Sequence, residues 1–278
     1  MLASNATCRQ RLTDFQQHER IDGWLHPAVV YAVDAVQRTH DELNITGALL
    51  EIGVHHGKFY LALDQCRRDT EAGYAMDLYE AGQKLNLDKS GRGSLAAFKG
   101  HLKRWSRDPS ATQIVSGDST RLAHTEFARS LPPIRLFSLD GGHTAAHAAS
   151  DLRFAERVVT NGGVVFVDDI FNPEWPGVIE GVATYLHTTP SLSPFAFVGN
   201  KLLMTTISMK PEILRRYSAH MGRSPGCKKT GMCFGDKPWF GHAVHTRKTS
   251  PGIVRAQERL ERGHGAKFDS DEEPDPLS

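Results

Sequence analysis

The chain has 278 residues, of which 40% are hydrophobic and 23% are charged, and its formal net charge is +1. This length and composition suit one large globular domain with extensions. The near-neutral charge argues against a nucleic-acid partner, and no apolar stretch approaches the roughly 18 residues that span a bilayer. Because the N-terminus also lacks the apolar core of a signal peptide, we expect a soluble, cytoplasmic protein with no membrane partner.

The four cysteines are widely spaced along the chain: Cys8, Cys66, Cys227 and Cys233. They are too few and too scattered to predict a disulfide framework. Cys227 and Cys233, together with His242 and His245, suggest a zinc site. The spacing between the two cysteines is longer than the usual Cys-x2–4-Cys pattern, so we do not favour zinc.

Predicted elements follow in chain order. Residues 1–46 look mainly helical, and from residue 47 short apolar runs alternate with helical patterns. Strands are predicted at 47–54, 73–77, 112–116, 134–139 and 163–167. Helices are predicted at 57–68, 94–105, 144–159 and 176–187. The apolar runs 195–198 and 201–206 are separated by Gly199-Asn200, which predicts a hairpin.

This alternation predicts an α/β fold. We expect a Rossmann-like sheet of seven strands, mostly parallel, with helices on both faces and an antiparallel terminal hairpin. The central domain would span 47–208, after an N-terminal helical cap at 1–46. A C-terminal extension follows at 209–262, and the acidic, proline-containing segment 263–278 is typical of a disordered tail.

The segment 47–57 is the most informative part of the chain. An apolar run leads into Glu51, and Gly53 and Gly57 then stand four residues apart, with His55 between them. A glycine can adopt positive φ, and its missing Cβ lets a ligand approach the backbone. Glu51 would repel a phosphate, so this turn favours a ligand with a positive charge or with hydroxyl groups over a dinucleotide.

Acidic residues recur where the predicted strands end. The later strands lead into Asp77, Asp118-Ser119, Asp140 and Asp168-Asp169. Since ligands bind at the carboxyl ends of the strands in an open α/β sheet, these side chains are expected to share one site. Any one of these acids could instead cap the helix that follows it.

Over residues 45–206 the chain resembles the class I S-adenosylmethionine-dependent methyltransferases. The resemblance rests on the Glu-x-Gly-x-x-x-Gly motif, the later acids and the closing hairpin. It implies that the turn containing Glu51, Gly53, His55 and Gly57 binds the methionine part of the cofactor. It also implies that Asp77 binds the ribose, that Asp118-Ser119 lies beside the adenine, and that Asp140 lines the same pocket.

A second site is expected beside the cofactor. Asp140 and Asp168-Asp169 would offer three carboxylates, which suit Mg²⁺. Their spacing resembles that of catechol-type O-methyltransferases and of metal-dependent methyltransferases acting on antibiotic sugars. His143, in a segment resembling the Asp-Gly-x-His signature of a broad methyltransferase family, is the candidate catalytic base. In a metal-free site, Asp140 would merely line the pocket.

These features predict Mg²⁺-assisted O-methylation of a small hydroxylated molecule such as a sugar, a phenol or a polyketide. One alternative is a metal-independent methyltransferase acting on nitrogen, carbon or a protein. Another is an inactive methyltransferase-like module that serves as an interaction domain. Trp175, near the acidic pair, would either stack on a substrate ring or pack in the core. The sequence is compatible with a homo-oligomer as well as with a monomer.

Overall fold

The computed structural model describes residues 6–87, 89–223, 233–240 and 242–248. The helices are α1 (Cys8–His18), α2 (Pro27–Glu42), α3 (Lys58–Asp64), α4 (Tyr79–Gly82), α5 (Leu95–Trp105), α6 (Ser119–Leu122), α7 (Glu126–Ser130), α8 (Ala145–Val158), α9 (Pro176–Leu186) and α10 (Lys210–Gly222). The strands are β1 (Ala48–Ile52), β2 (Gly73–Asp77), β3 (Thr112–Ser116), β4 (Ile134–Leu139), β5 (Val159–Val167), β6 (Leu192–Val198), β7 (Lys201–Thr206), β8 (Cys233–Trp239) and β9 (His242–Lys248).

One sheet organises the fold, in the strand order β3-β2-β1-β4-β5-β7-β6-β9-β8. The strands β1 to β5 pair in parallel, and β7 pairs antiparallel with both β5 and β6. The α/β class, the mostly parallel sheet and the antiparallel hairpin are therefore confirmed. Strand β1 is buried at every position, as expected for a central parallel strand covered by helices on both faces.

The predicted count of seven strands is wrong, because the described residues form nine. The two additional strands, β8 and β9, make a hairpin that continues the sheet beyond β6. Their sequence lacks a clear strand pattern, since Gly235 and Pro238 interrupt β8. An outermost strand tolerates proline because its N–H groups have no ladder to complete on one side.

The predicted helix at 57–68 is also too long, since α3 ends at Asp64. Arg67 holds the turn that follows: its Nε donates to the Asp64 carboxylate at 2.6 Å, and its Nη1 donates to the Glu71 carbonyl at 3.1 Å. These contacts fold the chain back towards β2. The buried Arg67 charge is thereby paired with Asp64 at the point where the helix ends.

Cys8 and Cys66 form a disulfide that joins α1 to the segment after α3. The wide cysteine spacing gave no reason to expect this bond, although a single disulfide is not the framework that the sequence argued against. Disulfides are uncommon in a reducing cytoplasm, and the pair is therefore at odds with the expected location. Cys227, needed for the zinc hypothesis, and the acidic segment 263–278 lie outside the described residues.

No helix in the described part of the chain is long and apolar enough to cross a membrane.

Arg135, near the amino end of β4, anchors a polar network inside the core. Its side chain is 1% exposed. It donates to both carboxylate oxygens of Glu71 at 2.8 Å, to Gln37 at 2.9 Å and to the Cys66 carbonyl at 2.7 Å. The buried charge is thus surrounded by acceptors, which is the condition for tolerating it.

Candidate functional site

A large pocket opens at the carboxyl edge of the parallel strands. Its volume is about 1130 Å³, and its lining includes Gly53, Asp77, Asp118, Asp140 and Asp168. The volume exceeds the roughly 300–1,000 Å³ usual for one ligand, so the pocket has room for two molecules side by side. The topology therefore brings together the strand-end acids that the sequence singled out.

The glycine turn between β1 and α3 depends on left-handed backbone. The φ angles of Gly53 and Gly57 are +82° and +89°, and His55 also has a positive φ of +53°. A Cβ on Gly53 would stand 1.6 Å from the Asp140 carbonyl oxygen, and one on Gly57 would stand 2.4 Å from the Phe98 ring. Glycine is thus required by close packing of the protein, in addition to any approach by a ligand.

Asp77 fixes the shape of this turn at the end of β2. One carboxylate oxygen accepts from the His55 N–H at 2.7 Å, and the other accepts from the Tyr79 N–H at 2.7 Å. Each oxygen keeps a further lone pair for a ligand hydroxyl. Burial raises the pKa of Asp77, although the hydrogen bonds from His55 and Tyr79 oppose the change.

Asp118 caps α6 through the Thr120 N–H at 2.9 Å, as the helix-cap alternative anticipated. It also lines the pocket together with Ser119. Behind them lies Asp151 on α8, which is fully buried. Burial raises the pKa of Asp151 to about 7, and the nearby Ser119 hydroxyl partly offsets this effect.

Glu51 is buried beneath the glycine turn with 1% of its surface exposed. One carboxylate oxygen accepts from the Ser138 hydroxyl at 2.9 Å. The other, Oε2, has no hydrogen-bond partner among the described residues. Burial, followed by the charge of Asp140, raises the pKa of Glu51 well above its usual range. Such an orphaned carboxylate fits a pocket that receives a cationic or hydrogen-bonding ligand.

Three side chains form the one group in the described residues that could hold a metal ion: Asp140, His143 and Asp169. One ligand atom from each lies within 4.8 Å of the other two. His143 Nε2 is 3.2 Å from Asp169 Oδ2 and 3.8 Å from Asp140 Oδ1. The His143 ring stacks on Trp175 with centroids 4.5 Å apart, so Trp175 orients the imidazole.

Asp169 also accepts hydrogen bonds from Asn172 and Asn200. Burial raises the pKa of Asp169, but its hydrogen bonds with His143, Asn172 and Asn200 and the His143 charge outweigh burial, so the net change is downward. Asp169 is therefore ionised at neutral pH and can act as a ligand or as the partner of an imidazolium.

Asp168, expected in the same trio of carboxylates, is directed elsewhere. It forms a buried ion pair with Lys201 and accepts a hydrogen bond from Asn200. Sequence reasoning missed Lys201, although a lysine that opens an otherwise apolar strand was a usable signal. Burial lowers the pKa of Lys201, but the charges of Asp168, Asp140 and Glu51 outweigh burial and raise it overall.

A family model for a methyltransferase domain matches residues 50–170, which contain the glycine turn and the strand-end acids of the pocket. The chain therefore contains a methyltransferase domain and is a methyltransferase, as the sequence predicted. The glycine turn, the Glu51 oxygen without a partner among the described residues, and the pocket volume fit S-adenosylmethionine, the cofactor expected from the sequence. No curated protein sequence matches this methyltransferase significantly.

Solved structures similar to this methyltransferase include an O-methyltransferase from Bacillus cereus in complex with SAH. It is 11% identical, with a TM-score of 0.48, over 74% of this chain and 92% of that chain. TomG, an O-methyltransferase from Streptomyces achromogenes, is 12% identical, with a TM-score of 0.48, over 74% and 92%. The calicheamicin methyltransferase CalS11 is 16% identical, with a TM-score of 0.48, over 71% and 91%.

Proposed function

We propose that the protein transfers a methyl group from S-adenosylmethionine to a hydroxyl oxygen of a small molecule, with the help of a divalent cation. The observation that carries this proposal is the group Asp140, His143 and Asp169, which lines the same pocket as the glycine turn. An N- or C-methyltransferase has less need of two carboxylates and an imidazole at this position, whereas an acceptor hydroxyl must be oriented and must lose a proton.

On the cofactor side, we assign the ribose hydroxyls to Asp77 and the adenine to Asp118 and Ser119. The backbone from Gly53 to Gly57 would hold the methionine part. Glu51 lies under that turn with its unpartnered oxygen, where it would interact with the positive end of the cofactor. Methyl transfer needs in-line alignment of the acceptor with the sulfonium, and such alignment can supply roughly 7–11 kcal/mol in the best cases.

The proposed cation ligands are two carboxylates and one imidazole, a set that suits Mn²⁺ as well as the Mg²⁺ expected from sequence. When bound, such a cation lowers the pKa of a coordinated hydroxyl and fixes its direction. The side chains of Asp140 and Asp169 supply the negative charge, and His143 completes the set. Trp175 keeps the imidazole plane fixed by stacking.

His143 has two possible uses, which exclude each other at the same nitrogen. Its Nε2 faces Asp169 at 3.2 Å, the contact expected of a cation ligand beside another ligand. The same contact suits a metal-free base in which Asp169 orients His143 and stabilises the imidazolium. The second candidate function is therefore metal-independent O-methylation with His143 as the catalytic base.

The pocket rim indicates an acceptor with an apolar body. Six large hydrophobic side chains of the described residues are exposed, and four of them line this pocket: Trp24, Leu85, Leu87 and Phe171. Concentrated apolar exposure marks binding sites. We therefore favour a phenol or a polyketide over a free sugar.

The test is methyl transfer from radiolabelled S-adenosylmethionine to a panel of phenols, polyketides and sugars, with EDTA or with added Mg²⁺ or Mn²⁺. We expect turnover on a phenol or polyketide that EDTA abolishes and a cation restores. Turnover that is insensitive to EDTA, yet lost in His143→Ala, would support the metal-free alternative. Asp69→Asn is the matched control, because Asp69 is an exposed acid outside the pocket and should leave turnover unchanged.

A further inference from the structure

We propose that Lys201 sets the metal preference of this methyltransferase by keeping Asp168 out of the cation site. The remaining ligands, Asp140, His143 and Asp169, include an imidazole and would favour Mn²⁺ over Mg²⁺. This inference rests on the proposed function, because it presumes that the site binds a cation.

Lys201 is buried and contacts both Asp168 and Phe59. It opens β7 directly after the hairpin turn, and only 2% of its surface is exposed. Its ammonium contacts the Asp168 carboxylate and lies 4.3 Å from the centre of the Phe59 ring. A buried ammonium without its carboxylate would be costly, so Lys201 and Asp168 must stay together.

Both oxygens of Asp168 are already engaged. Oδ1 accepts from the Asp169 N–H at 2.8 Å and from the Asn200 side chain, and Oδ2 accepts from Lys201. A cation at the site would have to displace a charged lysine to recruit this carboxylate. Asp168 lines the pocket but is not a member of the candidate ligand group. We attribute this difference to its contacts with Lys201 and Asn200.

The side chain of Asp169 points in a different direction from that of Asp168. Asp169 has a φ of +55°, a left-handed conformation uncommon for residues other than glycine. Its carboxylate faces His143, whereas that of Asp168 faces Lys201. The backbone turn thus divides two consecutive acids between two tasks, one towards the cation site and one towards the buried lysine.

The choice of ligands carries a chemical consequence. Mg²⁺ prefers oxygen donors, whereas imidazole suits first-row transition metals. Three carboxylates would offer only oxygen ligands. A site in which His143 stands in place of the third carboxylate offers one nitrogen ligand as well. Lys201 would therefore act as a positioning residue: it does not touch the metal, but it decides which side chains do. Residues of this kind change metal affinity by about 10- to 100-fold when mutated.

The experiment measures cation binding directly, without turnover. Free Mn²⁺ is followed by electron paramagnetic resonance during titration of the full chain, and Mg²⁺ is then added as a competitor. The two dissociation constants give a Mg²⁺-to-Mn²⁺ ratio for the wild type, Lys201→Met and the double variant Lys201→Met, Asp168→Asn. Lys210→Met is the control, because Lys210 is a partly buried lysine that bonds Ser193 away from the pocket.

We expect Lys201→Met to release Asp168 and to shift the ratio towards Mg²⁺ by about tenfold or more. The double variant should return to the wild-type ratio, and Lys210→Met should not change it. If Lys201→Met binds both ions with the wild-type ratio, the role of Lys201 is only structural and the inference is overturned. A second outcome concerns the cation site itself. If the wild type binds no Mn²⁺, or if Asp169→Asn binds Mn²⁺ as tightly as the wild type, the proposed cation site is contradicted.

Discussion

The two edges of the central sheet hold buried charges in opposite ways. At the amino edge, Arg135 donates to Glu71, Gln37 and the Cys66 carbonyl. At the carboxyl edge, Glu51 keeps an oxygen without a partner among the described residues, and Asp140 and Asp169 stand beside a histidine in an open pocket. The first cluster is complete within the protein, whereas the second is arranged for ligands.

The comparison teaches how to separate structural from functional acids in this methyltransferase. A buried charge surrounded by its own partners stabilises the native packing only as long as all partners remain. An acid that keeps spare lone pairs and faces a pocket costs stability and is retained for binding. Removing charges from the two edges should therefore affect different properties.

The largest effect is expected at the amino edge. Arg135→Met leaves Glu71 without its main partner inside the core, and breaking a buried pair costs about 3–5 kcal/mol. Urea unfolding should reveal this loss. S-adenosylhomocysteine should still bind the folded fraction with unchanged affinity; an affinity loss without a stability loss would contradict the structural role.

At the carboxyl edge, Asp169→Asn removes a charge from the proposed cation site. We expect turnover to fall by on the order of 10²- to 10³-fold, because one preorganised electrostatic contact is typically worth that much. Cofactor affinity should stay close to that of the wild type. Steady-state kinetics measures turnover, and calorimetry measures cofactor affinity. A loss of cofactor affinity as large as the loss of turnover would reassign Asp169 to cofactor binding.

Asp151, a buried acid behind the pocket, should make the stability of the protein depend on pH. Its pKa is about 7 in the folded protein and near 3.9 when unfolded, so the folded state holds the extra proton between these values. Stability therefore falls as pH rises from about 4 to 7, and the loss is complete above pH 7.

Between pH 5 and pH 8 this group alone should lower the free energy of unfolding by on the order of 2 kcal/mol. Asp151→Asn should remove that part of the pH dependence. Denaturation of both proteins at the two pH values measures the difference. Identical pH dependence in both would show that Asp151 is not held protonated.

The smallest effect is expected from Glu51→Gln. Removing a buried acid with a raised pKa should not lower stability, while the affinity for S-adenosylmethionine should fall by about tenfold, or 1.4 kcal/mol. S-adenosylhomocysteine lacks the sulfonium charge, so its affinity should change less. Calorimetry with both ligands checks this, and equal losses would argue against charge recognition by Glu51.

The sequence predicted the sheet well because its central strands are short apolar runs between clear helical patterns. It also predicted which edge of the sheet carries the pocket, since the acids lie at or near the carboxyl ends of the strands. It missed β8 and β9, whose sequence contains glycine and proline at the sheet edge. It could not separate Asp168 from Asp169, because their opposite directions depend on the backbone turn at Asp169 and on Lys201, which is distant in sequence.

The most direct test of the carboxyl edge is calorimetric titration of the wild type and Asp77→Ala with S-adenosylhomocysteine. We expect the wild type to bind with a dissociation constant between about 1 µM and 1 mM, the usual range for enzyme substrates. Asp77→Ala should weaken binding at least about tenfold, because it removes the proposed ribose contact and the acceptor that shapes the glycine turn. An absence of binding by the folded wild type would contradict the assignment of this pocket to the cofactor.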